Sequence, residues 1–138
     1  MLLEGDDLLA GIEVPQTHLR LQCEHELRAK HIRLRQTYLG SARRARSLEL
    51  ALRGSASSFS TLFRTLLRLR GESPPANSAQ VIERVANLFE LDARGLLGAH
   101  VVRYSRGHYR SEEITAIFRR FLVEISRLVV AIDQLSVP

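Results

Sequence analysis

Leu19, Cys23, Leu27, Leu34 and Tyr38 recur at steps of four and seven after Pro15, which keeps them within about 100° of arc on a helix of 3.6 residues per turn. Pro15 suits the first turn of such a helix, where its missing N–H costs nothing. Leu21, Ile32 and Leu39 fall nearly opposite the first stripe, so this helix is expected to pack against neighbours on both sides. After Gly40 and Ser41 a second segment carries Leu48, Leu52, Phe59, Leu62, Phe63, Leu66 and Leu67 on one face. Arg53, Ser57, Arg64 and Arg68 occupy the other. The period runs through Gly54, which predicts one long helix over residues 42–70. The GSASS patch inside it lowers helix propensity by roughly 1 kcal/mol for the glycine alone and offers a surface of small residues to a crossing helix, a ligand or a partner.

Gly71 is a natural helix stop, and the prolines of GESPPANS end any helix before it. Asn77 with Gln80 three residues on has the pattern of a capping box. The helix it opens, over 78–89, is expected to bury Val81, Ile82, Val85, Leu88 and Phe89. Asp92 caps a short fourth helix through Leu96, Leu97, Val101 and Tyr104, weakened by Gly95 and Gly98. SRGHYR reads as a loop. Ser111 followed by Glu112 and Glu113 starts the last helix, over 112–135, because a hydroxyl caps free amides and carboxylates complement the helix dipole. Its core face holds Ile114, Ile117, Phe118, Phe121, Leu122, Ile125, Leu128, Val129 and Ile132, and Val123 and Val130 form a spare stripe suited to another helix or another subunit. The fold these patterns predict is an all-α, largely antiparallel bundle of about five helices, three of them long, with residues 1–14 as a lead-in and 15–138 as the domain.

Composition narrows the picture. A chain of 138 residues with 45% apolar and 25% charged residues is one ordinary domain. Its single cysteine excludes a disulfide framework and suits a reducing cytosol. No apolar run approaches the roughly 18 residues of a membrane span, and Glu4, Asp6 and Asp7 stand where a signal peptide carries positive charge. The net charge of +5 comes almost wholly from arginine, with Lys30 the one lysine. Arginine suits bidentate contacts to carboxylate or phosphate, and its excess over lysine is also what a GC-rich genome produces.

Arginines gather at 43, 44 and 46, at 103, 106 and 110, and at 119 and 120; Tyr104 and Tyr109, interleaved with the second group, could stack on a base. No nucleic-acid-binding motif accompanies them, so nucleic acid is a weak expectation beside ordinary solvated helix faces. An Arg followed at five to seven positions by His resembles the R-x4-6-H signature of HEPN-type helical ribonucleases. Arg20 with His25, Arg94 with His100 and Arg103 with His108 fit, although roughly two such pairs arise by chance at this composition. Arg103 and His108 are the best placed, just ahead of the last helix, though Tyr104 stands where that family has a polar residue. His18 and His25 lie two turns apart, about 10 Å, too far to share a metal ion easily, so solvated histidines are expected and no metal site. Phosphate-binding and nucleophile motifs are absent.

The GDDLLAGIEV lead-in, the HLRLQCEHELRAKHIRLRQTYL helix, the SSFSTLFRTLLRLRGESPP stretch and the ANLFELDA segment together resemble the C-terminal helical domain of bacterial and archaeal nucleotidyltransferase-type proteins. The resemblance covers nearly the whole chain and carries no short catalytic signature. It implies a bundle akin to the substrate-binding or subunit-pairing half of kanamycin nucleotidyltransferase-like enzymes, closing over a triphosphate site that a separate catalytic domain supplies. On that reading the chain is non-catalytic, pairs with a nucleotidyltransferase domain or subunit, and self-associates as a homodimer. Magnesium and nucleoside triphosphate belong to the partner. The contact regions expected are residues 103–110, with Arg103, Arg106, His108, Tyr109 and Arg110, and the GSASS surface, with Ser57, Arg64 and Arg68. The alternatives are a HEPN-like ribonuclease or toxin using Arg103 and His108, and an RNA-binding helical dimer.

Overall fold

The computed structural model describes residues 16–40 and 44–136, which form six helices and no strand. The lead-in over residues 1–14, Pro15 and Arg43 lie outside the described residues. In chain order the helices are α1 (Gln16–Leu39), α2 (Ala45–Leu69), α3 (Ser78–Leu88), α4 (Ala93–Leu96), α5 (Gly98–Tyr104) and α6 (Ser111–Ser136). No helix among the described residues is long and apolar enough to cross a membrane.

Three long helices make the frame. Arg28 of α1 bonds Asp133 of α6, His31 bonds Ser126, and the Tyr38 ring stacks on Phe118 at 5.9 Å between centroids, so rising numbers on α1 meet falling numbers on α6. The two therefore run antiparallel. Helix α2 runs antiparallel to α1, with Lys30 beside Phe59 and Arg20 near Leu66 and Arg70. It runs parallel to α6, since Phe59 meets Phe121 edge-on at 5.2 Å and Leu66 shares a pocket with Ile132. The core lies between the three and is closed by α3, α4 and α5.

All seven apolar positions expected on α2 are buried. On α1, Cys23, Leu27 and Leu34 are buried and Tyr38 is half-buried, whereas Leu19, expected on the same face, is exposed. The expectation of neighbours on both sides of α1 is corrected here, because Leu21, Ile32 and Leu39 are 55%, 52% and 66% exposed. Alpha-helical registry places them away from α2 and α6, which both pack on the inner side.

The helix ends follow their sequence signals with one shift. Gly71 takes φ +81°, its N–H donates to Arg68 O, and Glu72 N–H donates to Leu67 O, the paired bonds of a Schellman stop. The Asn77 side chain accepts from Gln80 N–H at 3.1 Å. At α6 the cap lies one residue earlier than expected: Arg110 C=O accepts from Ile114, and Glu113 reaches back to accept the Arg110 N–H at 2.8 Å. That bond, with the Arg110 charge beside it, holds the Glu113 carboxyl below its usual range.

The expected fourth helix is two. It breaks at Leu97 into α4 and α5, which bury Leu96, Ala99 and Val102 but leave Val101 and Tyr104 exposed. Both glycines there press on α6. A Cβ at Gly95 would lie 2.9 Å from Glu124 Cγ and 3.3 Å from the Arg120 carbonyl, and one at Gly98 would lie 3.0 Å from Ile117 Cγ2. Close backbone approach, rather than weak helix propensity, accounts for them.

Candidate anion-binding cleft between the first two helices

Lys30, Arg33, Leu34 and Thr37 stand at i, i+3, i+4 and i+7 on α1, and so share one side of it. Opposite them α2 offers Ala51, Gly54, Ser55, Ser58 and Phe59. The GSASS patch offers small residues to a crossing helix, a ligand or a partner, and it lies beside α1: among the described residues nothing is within 4 Å of a Cβ built on Gly54, and the small side chains leave a cleft of about 230 Å³ between the helices.

The cleft is chemically one-sided. Among the described residues two cations and no carboxylate line it. The Lys30 ammonium lies 6.0 Å from the centroid of the Phe59 ring, whose negative face draws the charge inward. Ser55 Oγ donates to Ala51 O at 2.6 Å, and Ser58 Oγ donates to Ser55 O at 3.1 Å. With their protons turned to the helix, the two hydroxyl oxygens are left as acceptors. The arrangement therefore suits a group that is anionic at one end and carries hydroxyl or amino donors close by, such as a sugar phosphate or one end of a nucleotide. None of Lys30, Arg33 or Thr37 was singled out from sequence, although their spacing on one side of α1 is legible there.

The sequence-nominated residues are distributed differently. Ser57 is exposed on α2 outside the cleft lining, its carbonyl accepting from Thr61. Arg64 fastens the following loop, donating to the carbonyls of Pro75 at 2.6 Å and Ala76 at 3.0 Å. Arg68 is exposed. Arg103 ends α5, exposed, and its carbonyl accepts a long bond of 3.4 Å from Arg53, which also pairs with Glu49. Arg106 and His108 are exposed in the loop, Tyr109 is half-buried against the core, and Arg110 pairs with Glu113. Among the described residues no hydrogen bond or ring contact joins Arg103 to His108; the imidazole of His100 packs on Tyr104 instead, with centroids 4.8 Å apart. No group of three or more His, Cys, Asp or Glu among the described residues is arranged to hold a metal ion.

Two polar centres, one buried and one part-buried, tie α6 to its neighbours. Glu124, 5% exposed, accepts from Asp92 N–H at 2.8 Å and from Arg127 at 3.1 Å, while Arg127 also donates to the carbonyl of Glu90. This ties the turn between α3 and α4, where Glu90 takes φ +57°, to the middle of α6. His31 meets Ser126 at 2.7 Å, and the Ser126 hydroxyl donates to Leu122 O at 2.9 Å. The serine proton is thus engaged, which makes His31 Nε2–H the donor and assigns the tautomer. Burial, with Arg35 nearby, lowers the His31 pKa and favours the neutral ring. Cys23 is buried, and desolvation with the charges of Glu26 and Glu24 pushes its thiol up to about 12. The neighbouring Glu24 has a buried Oε1 with no hydrogen-bond partner, its nearest cation being Arg20 at 4.0 Å. Nothing in the described residues explains that oxygen.

The fold and cleft define an all-α bundle with a basic, hydroxyl-edged groove. No family model matches the chain, no curated protein is similar to it in sequence, and no solved structure matches it.

Proposed function

We propose that the chain is a non-catalytic helical module that holds a phosphate-bearing substrate in the α1/α2 cleft and pairs with a nucleotidyltransferase catalytic domain or subunit. The observation that carries the reading is the placement of Lys30 and Arg33 over a cleft lined by Ser55 and Ser58, with no carboxylate among the described residues that line it. A volume near 230 Å³ accommodates a sugar phosphate more readily than a whole dinucleotide. The pairing half of the proposal rests on the sequence resemblance, and magnesium and triphosphate would be held by the partner.

Titration of the intact chain with ribose 5-phosphate and with inorganic pyrophosphate, followed by amide chemical shifts, tests the substrate half. The expected shifts centre on Gly54, Ser55 and Ser58. Replacing both Lys30 and Arg33 by Ala is expected to weaken binding by about tenfold or more, since each charge-assisted bond contributes roughly 1.5–3 kcal/mol before screening at this half-open site. Equal binding by the double variant, or shifts centred on residues 103–110, would sink the idea. For the pairing half, co-expression with a neighbouring frame that encodes a GS-containing loop and paired aspartates should give a complex that co-elutes; its absence overturns that half alone.

A further inference from the structure

The outer layer of α1 and α6 forms one continuous face. On α1, Leu21, Arg28, Ile32, Arg35 and Leu39 fall within about 60° of arc and all are exposed. On α6, Arg119, Val123, Arg127 and Val130 fall within about 80°, also exposed. The Arg28–Asp133 and His31–Ser126 bonds join the two helices along the seam beside these stripes, and guanidinium groups are interleaved among their apolar side chains. From this we infer that the α1/α6 face docks an acidic amphipathic helix of a partner protein.

Charge supplies the first argument. Asp133 is engaged by Arg28, and buried Glu124 is held by Arg127 and the Asp92 amide. Arg35 has no carboxylate partner among the described residues, and Arg119 donates to the neutral Tyr38 hydroxyl. Glu112, exposed on the same α6 stripe, offsets one charge, and the face still presents surplus positive charge at Arg35 and Arg119 beside Ile32, Leu39 and Val123, the pattern that a helix with one leucine side and glutamate flanks complements.

Area and symmetry exclude the other occupant. From Leu21 to Leu39 the stripe runs about 27 Å, and two adjacent helices present a layer about 18 Å wide, so the face offers roughly 500 Å². A stable protein dimer needs about 800 Å² from each partner, whereas one laid-in helix needs less. A second copy of this chain would also bring Arg35 and Arg119, which no carboxylate pairs among the described residues, against an identical set, where like charges repel. The inference stands apart from the phosphate cleft, which lies on the α2 side of α1, and shares with the proposed function only the existence of a partner.

The test titrates the full chain with a synthetic 20-residue helix carrying Leu at i, i+3, i+4 and i+7 and Glu on its flanks. Amide shifts are expected at Leu21, Ile32, Leu39, Val123 and Val130, with affinity falling about tenfold between low and high salt. Arg35→Glu and Ile32→Ser, both at solvated positions, should each weaken binding by about tenfold while leaving the circular-dichroism melt unchanged. Lys30→Ala with Arg33→Ala should weaken phosphate binding by about tenfold or more yet keep the acidic helix bound, which separates this inference from the cleft. Equal binding of a helix whose flanks are Lys would overturn it as a merely greasy patch. A concentration-dependent dimer dispersed by Ile32→Ser, with no uptake of the acidic helix, would assign the face to a second copy instead.

Discussion

His31 shows how one side chain couples the first helix to the last and to pH. Its ring is partly buried against Ser126, and burial with Arg35 nearby lowers its pKa below that of an unfolded histidine. Between the two values the unfolded chain binds the extra proton and the folded chain does not, so stability falls as pH drops from the ordinary imidazole range through the lowered His31 value, then levels off. Urea unfolding midpoints measured from neutral to mildly acidic pH should show this slope, and His31→Asn should flatten it. Cys23 behaves in the opposite sense: with its thiol pushed up to about 12, it stays neutral and packs as a small apolar group.

At the scale of the helices, glycine has two meanings in one chain. Gly54 faces open cleft, so Gly54→Ala is expected to stabilise α2 by about 0.5–1 kcal/mol through helix propensity. Gly95 faces the α6 backbone, so Gly95→Ala is expected to cost about 1–3 kcal/mol through overpacking. Chemical denaturation of the two variants reads opposite signs from the same substitution; the same sign for both would contradict the packing described. The sequence alone could not separate these cases, because what distinguishes them is the distance to another helix. Periodicity did locate α2, α3 and α6 to within three residues at each end, since each buries one strongly apolar stripe, α6 leaving its spare Val123 and Val130 exposed. The two-striped α1 was located well and misread in its packing, because a stripe of Leu21, Ile32 and Leu39 looks the same in a sequence whether a neighbour covers it or water does. The cleft stayed hidden for a related reason: its halves, Lys30 with Arg33 and Ser55 with Ser58, are separated by a turn and meet only once α1 lies against α2.

For the whole molecule, the aromatic residues at the centre carry the union of the long helices. Phe121 on α6 meets Phe59 on α2 edge-on, and Phe59 in turn contacts Phe63. Phe121→Ala should cost about 3–5 kcal/mol, a large part of the roughly 5–15 kcal/mol that holds a domain folded. A thermal melt that loses cooperativity or shifts far downward would register it, and an unchanged melt would mean that this contact does not organise the core. Charge acts at the same scale. Four of the chain's 15 acids lie in its first fourteen residues, which hold none of its 20 lysines and arginines, so the helical part carries a concentrated positive field that favours acidic ligands and partners on encounter.

The antiparallel clasp of α1 by α6, through Arg28 with Asp133 and Tyr38 with Phe118, has a consequence for synthesis. Of the six described helices, the last to be made shelters one side of the first. While the ribosome is still extending the chain, the side of α1 that carries Arg28 and His31 must wait for Asp133 and Ser126, about a hundred positions later, to emerge. Any stall before then leaves a nascent hairpin that chaperones would be expected to hold.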